Sequence, residues 1–217
     1  MTHESRVISL RNMNLITLTS PTSAAAEAYR TLRTNLHFAA LETPLKTVVV
    51  ASPDLAEDGA MALANLAVTL AQSGKRVIAV DANLRQPMLH TLFALQNGTG
   101  LAEMLANADQ KANVQTTTVA GLSVLTAGQP PTIPSDAISS TRMSAVIQAL
   151  AGMADMVLLN APPAALVSDA AILSSQVDGV LLVVSTGKTR REHAQQAKDV
   201  FIRAKARLLG AVMLNAS

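Results

Sequence analysis

Short apolar runs recur along the chain and alternate with stretches whose apolar residues have helical spacing. The runs fall near residues 47–51, 76–80, 122–126, 156–159, 179–184 and 210–214. Most are continuous rather than alternating, which is typical of parallel strands covered on both faces. The pattern predicts an α/β fold with a doubly wound, mostly parallel sheet, preceded by a helix over residues 22–41. We predict a polar N-terminal arm, residues 1–20, and one α/β domain, residues 21–217, in which residues 107–118 and 129–134 form loops.

The carboxyl ends of the predicted strands mark the place of a ligand site, because doubly wound sheets bind ligands there. The segments that follow the strands are residues 54–59, 81–85, 160–163 and 185–188, together with Asn215. We expect them to line one crevice.

The segment after the first strand occupies the phosphate-binding position of such a fold. It joins a β-branched strand, residues 47–50, to an apolar helix, residues 61–72 (MALANLAVTLAQ). A phosphate-binding loop of the form G-x-x-x-x-G-K-[ST] uses its lysine on the β- and γ-phosphates, its hydroxyl on Mg²⁺ and its glycines for close backbone approach. Here Gly59 stands at the lysine position and Ala60 at the hydroxyl position. The loop therefore lacks the residues that hold phosphate.

This loop resembles that of the cytoplasmic tyrosine autokinases of bacterial capsule and exopolysaccharide synthesis, which are P-loop ATPases of the deviant-Walker group. The family pattern S-x-x-P-G-E-G-K-S-T-x-x-A-N-L-A aligns without gaps on Ser52, Glu57 and residues 65–67. The family's two glycines, lysine, serine and threonine are replaced by Ala56, Asp58, Gly59, Ala60 and Met61. The resemblance extends over about residues 15–215 and implies the P-loop NTPase type of fold. It does not carry over the activity, which resides in the residues that differ.

Two further motifs of the family are present here, each with asparagine in place of one aspartate. The motif D-x-D-x-R-x-P appears as residues 81–87, DANLRQP, and the motif D-x-P-P appears as residues 160–163, NAPP. In the family these carboxylates hold Mg²⁺ or its waters and assist deprotonation of the attacking group, which an uncharged amide cannot do. The resemblance thus implies a vestigial site and no confident catalytic residue. Its members are Asp81, Asn83 and Asn160 at the catalytic position, and Ala56, Glu57, Asp58, Gly59, Ala60 and Met61 in the loop, with Arg85 and Asn215 nearby.

The charges of the loop oppose a nucleotide. No basic residue lies between Lys46 and Lys75, whereas Asp54, Glu57 and Asp58 are acidic. Each carboxylate at about 6 Å from a triphosphate opposes it by about 1–3 kcal/mol, and the helix N-terminus returns only about 0.3–1 kcal/mol. We expect no cofactor and no metal, so that ATP and Mg²⁺, which the family uses, bind weakly or not at all. The alternative is that the acidic residues only cap the following helix.

The N-terminal helix carries the remaining positive signal. Glu27, Arg30 and Arg33 recur every three residues and share a face. In the family this E-x-x-R-x-x-R pattern joins subunits into a ring by reaching toward the next protomer's nucleotide site. The resemblance therefore predicts a homo-oligomer, a hetero-oligomer with an active homologue, or a complex with the cytoplasmic segment of a membrane polysaccharide chain-length regulator. A solvated charged face is the alternative.

Composition excludes several other classes. The chain has 217 residues, no cysteine, no tryptophan and a formal charge of only +2. The absence of cysteine excludes thiolate sites, and the absence of an aromatic platform argues against nucleic acid. Without an apolar run of about 20 residues or a signal-peptide pattern, we expect a cytoplasmic protein, reaching the inner face of the membrane through a partner.

The sequence thus predicts a pseudo-enzyme, a non-hydrolysing relative of the exopolysaccharide autokinases that acts as a structural or regulatory subunit. One alternative is a residual ATPase or protein tyrosine kinase that uses Asp81, Arg85 and a lysine from elsewhere. Another is a positioning protein of the partition or septum-site type, which shares the fold.

Overall fold

The computed structural model describes residues 15–54, 56–107 and 109–215, without the side chains of residues 56, 57 and 215. The strands are β1 Thr47–Ala51, β2 Val77–Asp81, β3 Gln115–Thr116, β4 Leu122–Leu125, β5 Met156–Asn160, β6 Gly179–Thr186 and β7 Leu208–Asn215. The helices are α1 Ile16–Thr19, α2 Ala24–Glu42, α3 Ala56–Gln72, α4 Leu89–Leu92, α5 Leu101–Ala106, α6 Pro134–Ser139, α7 Thr141–Met153, α8 Asp169–Ser174 and α9 Arg191–Arg203.

One sheet with the order β3-β4-β2-β5-β1-β6-β7 runs through the domain. All neighbouring strands are parallel except β3, which pairs antiparallel with β4. The predicted fold class is therefore confirmed. Because β1 lies between β5 and β6, the loop that follows β1 is flanked by the carboxyl ends of both of these strands.

Helices cover both faces of this sheet, and strand β1 shows how its sequence serves both layers. All five residues of β1 are buried. Val48 and Val50 pack in the core beneath α2, α3 and α4, whereas Val49 and Ala51 pack in the core beneath α5 to α9. Successive side chains of a strand point to opposite faces, so a strand covered on both sides must be apolar throughout.

Residues 15–20 differ from the predicted polar arm. Leu15 is fully buried, and Thr17 donates hydrogen bonds from its backbone N–H and its hydroxyl to Asn65 Oδ1 on α3, at 3.1 and 2.9 Å. This turn of helix belongs to the α/β domain because a single buried leucine and a threonine connect it to α3. Residues 1–14 of the predicted arm lie outside the described residues.

Residues 107–118 also differ from the predicted loop, because Gln115 and Thr116 form the edge strand β3 opposite Val124 and Ser123. A strand of two polar residues contains no apolar run, so the hydrophobic pattern of the sequence does not predict it. Within the described part of the chain, no helix has both the length and the apolarity needed to cross a membrane.

Candidate functional site

The loop that follows β1 is held to the sheet by the chain that follows β5. The backbone N–H of Ala161 donates to Val50 O at 3.0 Å, and that of Ala164 donates to Ser52 O at 2.9 Å. Ala165 N–H donates to Pro53 O at 2.9 Å. The loop and residues 161–165 therefore form one connected surface at the carboxyl ends of β1 and β5.

Asp58, at the position of the family's second loop glycine, lies in the first turn of α3. Its carboxylate accepts a hydrogen bond from the hydroxyl of Ser185, a buried residue near the end of β6. Burial, and then the charge of Asp58, raise the pKa of Tyr29 on α2 to about 12. A carboxylate at a helix N-terminus is favoured by the helix dipole. The loop thus supplies its own anion at the helix terminus and connects it to β6.

Asp54 makes a second link from the loop, to helix α9. Its Oδ2 lies 2.9 Å from His193 Nδ1, and the two side chains are 12% and 29% exposed. The other oxygen, Oδ1, is buried and has no hydrogen-bond partner in the part of the chain that is described. Among the described residues, His193 is therefore the side chain that forms a hydrogen bond with the Asp54 carboxylate.

Asp81 is fully buried at the end of β2, beside Asn160 at the end of β5. Its Oδ2 accepts the backbone N–H groups of Met88 and Leu89 at 2.7 and 2.8 Å, and its Oδ1 accepts Asn160 Nδ2 at 2.9 Å. Burial raises the pKa of Asp81, and the hydrogen bonds from Asn160 and the backbone oppose that rise. The amide of Asn160 therefore does more than shape a turn, since it donates to the retained carboxylate.

Arg85 and Asn83 are both engaged within the chain. Arg85 donates from Nε and Nη2 to the two oxygens of Asp169, at 2.9 and 3.2 Å, and the Asp169 side chain is only 1% exposed. This hydrogen bond raises the pKa of Arg85 further. Asn83 Oδ1 accepts the N–H of Gln86 at 3.1 Å, while its buried Nδ2 has no partner among the described residues.

The rest of the predicted site is placed less completely. Gly59 and Ala60 are buried, and Met61 borders a cleft described below. The side chains of Ala56, Glu57 and Asn215 lie outside the description. In the described ranges, no three histidine or acidic side chains come together in a way that could hold a metal ion.

Sequence reasoning gave no role to His193 or Asp169. His193 stands alone in the sequence without ligand spacing, and its partner Asp54 lies 139 residues away. Asp169 pairs with Arg85, which lies 84 residues away, so the pairing leaves no local pattern in the sequence. The sequence places Ser185 at the crevice because it follows the predicted strand 179–184; in the structure it lies within β6, next to its final residue.

A cleft of about 580 Å³ adjoins the loop, between α2, the first turns of α3 and strand β7. Its walls include Ala28 and Leu32 from α2 and Val212 and Leu214 from β7. Its polar and charged lining includes Asp58, Ser185 and Lys188.

The predicted interface residues on α2 make contacts within the subunit. Arg30 Nε lies 2.7 Å from Glu27 Oε2, and Arg30 Nη2 donates to Pro21 O at 2.7 Å. Arg33 Nη1 donates to Thr69 O on α3 at 3.0 Å. Arg33 therefore attaches α2 to α3, whereas Glu27 and Arg30 form a pair on the outer side of the helix.

No family model matches the chain. It is 40% identical over 201 residues to the tyrosine-protein kinase YwqD of Bacillus subtilis (strain 168), covering 92% of this chain and 85% of that protein. It is 33% identical to the tyrosine-protein kinase etk of Escherichia coli (strain K12), covering 95% of this chain and 29% of that protein.

Solved structures give the same picture. The kinase domain of Escherichia coli tyrosine kinase ETK superimposes with a TM-score of 0.89 at 30% identity, over 94% of this chain and 81% of that one. The chimerical protein CapA2B2 superimposes with a TM-score of 0.87 at 30% identity, over 93% and 88%. The Pyrococcus furiosus cell division ATPase MinD, at a TM-score of 0.66 and 22% identity, shares the fold alone.

Proposed function

The chain belongs to the family of bacterial tyrosine-protein kinases, and from this premise we propose that it is a catalytically inactive member of that family. In this proposal it serves as a structural or regulatory subunit in polysaccharide synthesis or export. Its partners are further copies of itself, an active homologue, or the cytoplasmic segment of a membrane chain-length regulator. It works in the cytoplasm, at the inner face of the membrane when bound to that regulator.

The observation that carries the proposal is the hydrogen bond between Asp58 and Ser185. The carboxylate of Asp58 lies in the first turn of α3, at a position where the family has a glycine. A phosphate bound at this position would need access to the backbone N–H groups of that turn. A negative charge at about 4–6 Å from a unit charge on a phosphate opposes it by about 3–4 kcal/mol at an effective dielectric constant near 20. The lysine that would offset this repulsion is replaced by Gly59.

The retained polar residues support the same conclusion, because they are paired with each other. Asp81 is hydrogen-bonded to Asn160, and Arg85 to Asp169. With Asn83 and Asn160 in place of carboxylates, Asp81 is the acidic group left by these two motifs, which weakens a site for Mg²⁺. The first pair joins the ends of β2 and β5, and the second joins the segment after β2 to the start of α8, in both cases without a nucleotide.

The alternative function is a residual ATPase or kinase, and the position of Lys188 favours it. Lys188 borders the cleft beside Asp58 and forms no ion pair with any residue in the described ranges. It is therefore the cation that could replace the missing lysine of the loop. In that case its ammonium group would have to outweigh the charge of Asp58.

Nucleotide titration separates the two functions. Isothermal titration of the purified protein with ATP or ADP and Mg²⁺ is expected to show no saturable binding below the millimolar range, with an active homologue as the positive control. Micromolar affinity that Lys188→Ala abolishes would overturn the proposal and establish the alternative.

A further inference from the structure

Strand β7 ends the sheet with a long edge that nothing described covers. β7 pairs with β6 on one side, and no other strand of the described chain pairs with its outer side. Its eight residues, LLGAVMLN, include neither a charged residue nor a proline. Edge strands are usually blunted by charge, proline or shortness, because their free N–H and C=O groups otherwise pair with another chain. β7 has none of these three features, and its one irregularity of register lies at residues 208–210, ahead of the stretch 211–215. Met213 in that stretch is 68% exposed.

The cleft described above opens onto this edge. Four successive residues of β7, from Ala211 to Leu214, line the cleft. Because successive side chains of a strand point to opposite faces, a cleft on one face would be lined by alternate residues only. Lining by consecutive residues is expected where the backbone of β7 borders the cleft together with its side chains. A segment that pairs with β7 would therefore have the cleft beside it.

The cleft combines apolar walls with a carboxylate. Asp58 accepts one hydrogen bond, from Ser185, and forms no ion pair with any residue that the structure describes. Tyr29, which also lines the cleft, has its pKa raised to about 12 by burial and by the charge of Asp58. The carboxylate of Asp58 is thus not held in an ion pair among the described residues, although Lys188 lines the same cleft, and its charge acts on Tyr29. A partly buried carboxylate of this kind gains most from a cation that brings its own apolar stem.

We propose that β7 and the adjoining cleft form a docking site for an extended basic segment of a partner protein. The segment adds to the sheet as a strand along β7, and it places a lysine or arginine side chain in the cleft against Asp58. Main-chain hydrogen bonds supply affinity in this mode of recognition, and the pockets beside the strand supply specificity. The proposal rests on the proposed function, because it requires that no nucleotide occupies the loop. It goes further by naming the kind of partner segment that the subunit binds.

The test measures fluorescence anisotropy of a labelled peptide that alternates lysine and valine and has the eight-residue length of β7. The wild-type protein is expected to bind it in saturable fashion, and a peptide with glutamate in place of lysine is expected not to bind. Asp58→Asn is expected to weaken binding about tenfold, on the scale of an interfacial charge pair. Lys188→Ala is expected to strengthen it, because a like charge beside the cleft is removed.

The edge is tested separately with Met213→Lys, which places a charge on the outer strand and is expected to abolish binding. Met153→Lys at the end of α7 and Asp136→Asn on α6 are the matched controls, since both residues are exposed and lie outside the cleft. Equal binding to Met213→Lys and to wild type would overturn the proposal, as would preference for the glutamate peptide.

Two further experiments show whether a second copy of the chain or a nucleotide binds at this site instead. If the protein alone sediments as a dimer that Met213→Lys dissociates, the edge belongs to a second copy and the proposal fails.

Competition with ATP and Mg²⁺ separates this inference from the proposed function. If the nucleotide binds, the proposed function fails; if neither nucleotide nor peptide binds, only the docking site fails.

Discussion

Asp81 and Asn160 are a carboxylate and an amide that form a pair in the candidate site. Their hydrogen bond joins the ends of β2 and β5 at full burial. Asn160→Asp alone would bring two carboxylates to about the 2.9 Å that separates Asn160 Nδ2 from Asp81 Oδ1. One of the two carboxylates would then have to be protonated. We expect a loss of about 3 kcal/mol in the free energy of unfolding at pH 7, which corresponds to displacing a pKa by about 2. Urea unfolding measures it.

The reciprocal exchange is the control for this pair. In Asp81→Asn/Asn160→Asp, the new amide oxygen at position 81 can still accept from Met88 and Leu89, and the amide nitrogen there can donate to the carboxylate at position 160. We expect the double variant to recover most of the loss, whereas Asp81→Asn alone sets two amide groups against each other and costs about 1–3 kcal/mol. Exposed Asp109→Asn should change little. If the double variant is as unstable as the sum of the single ones, the two side chains do not act as a pair.

The pH dependence of the same variants has a definite sign. Burial already raises the pKa of Asp81 above its ordinary value of 3.8. The folded state therefore binds this proton more tightly than the unfolded chain, and this contribution to stability falls as the pH rises from 3.8 through the raised pKa. Asn160→Asp enlarges the difference, so its destabilisation relative to wild type should shrink when unfolding is repeated near pH 4–5.

Tyr29 reports the charge of Asp58 directly, because it is the only tyrosine of a chain without tryptophan. Its phenol should titrate at about 12 in a spectrophotometric titration, and Asp58→Asn should lower that pKa while leaving it above 10, since burial is the larger cause. The folded state holds this proton more tightly than the unfolded chain, so stability should fall as the pH rises from 10 to 12. An unchanged pKa in Asp58→Asn would show that the carboxylate is not close to Tyr29.

At the scale of elements, the connection between the loop and α9 rests on Asp54 and His193. Removing the imidazole leaves a carboxylate that is only 12% exposed without its hydrogen-bond partner. We expect His193→Ala to lower the free energy of unfolding by about 1–3 kcal/mol, the cost of a buried unsatisfied polar group. Hydrogen exchange should also accelerate in the first turn of α3.

His37→Ala is the matched control for that variant, since His37 is exposed on α2. It should change stability by no more than about 0.5 kcal/mol. Equal effects of the two substitutions would mean that His193 contributes no more than a surface residue.

The elements also show what the sequence can and cannot predict. β1 and the strands around it were predicted because burial on both faces requires uninterrupted apolar runs, and these can be read locally. β3 and α1 were missed because each is stabilised by contacts with residues far along the chain, such as Thr17 with Asn65. The same limit applies to the site. The loss of the lysine at Gly59 is visible in the sequence, whereas the pairing of Asp54 with His193 exists only after folding.

At the scale of the whole molecule, we expect the outer face of α2 to determine whether subunits associate. Glu27 and Arg30 lie on that face, with side chains 65% and 31% exposed. The loop that such a face would approach in a neighbouring subunit is acidic at Asp54 and Asp58. The positive charge of Arg30 is complementary to this loop and the charge of Glu27 opposes it, so we expect contact between copies or with a homologue to depend on Arg30 and to need no nucleotide. Each exposed pair contributes only about 0–1 kcal/mol, which makes the association weak.

Arg30→Ala is the variant that tests this face, because Arg33 also donates to Thr69 O and its loss would disturb the packing of α2 on α3. Sedimentation should show association at about 0.1 M salt that decreases near 1 M, where the Debye length falls from about 10 Å to about 3 Å. Arg30→Ala should weaken it several-fold, with the protein alone, with an active homologue and with the regulator's cytoplasmic segment. Arg191→Ala, at an exposed position on α9, is the matched control. If both variants associate as wild type does, α2 presents a solvated face and the proposed subunit role loses its main support.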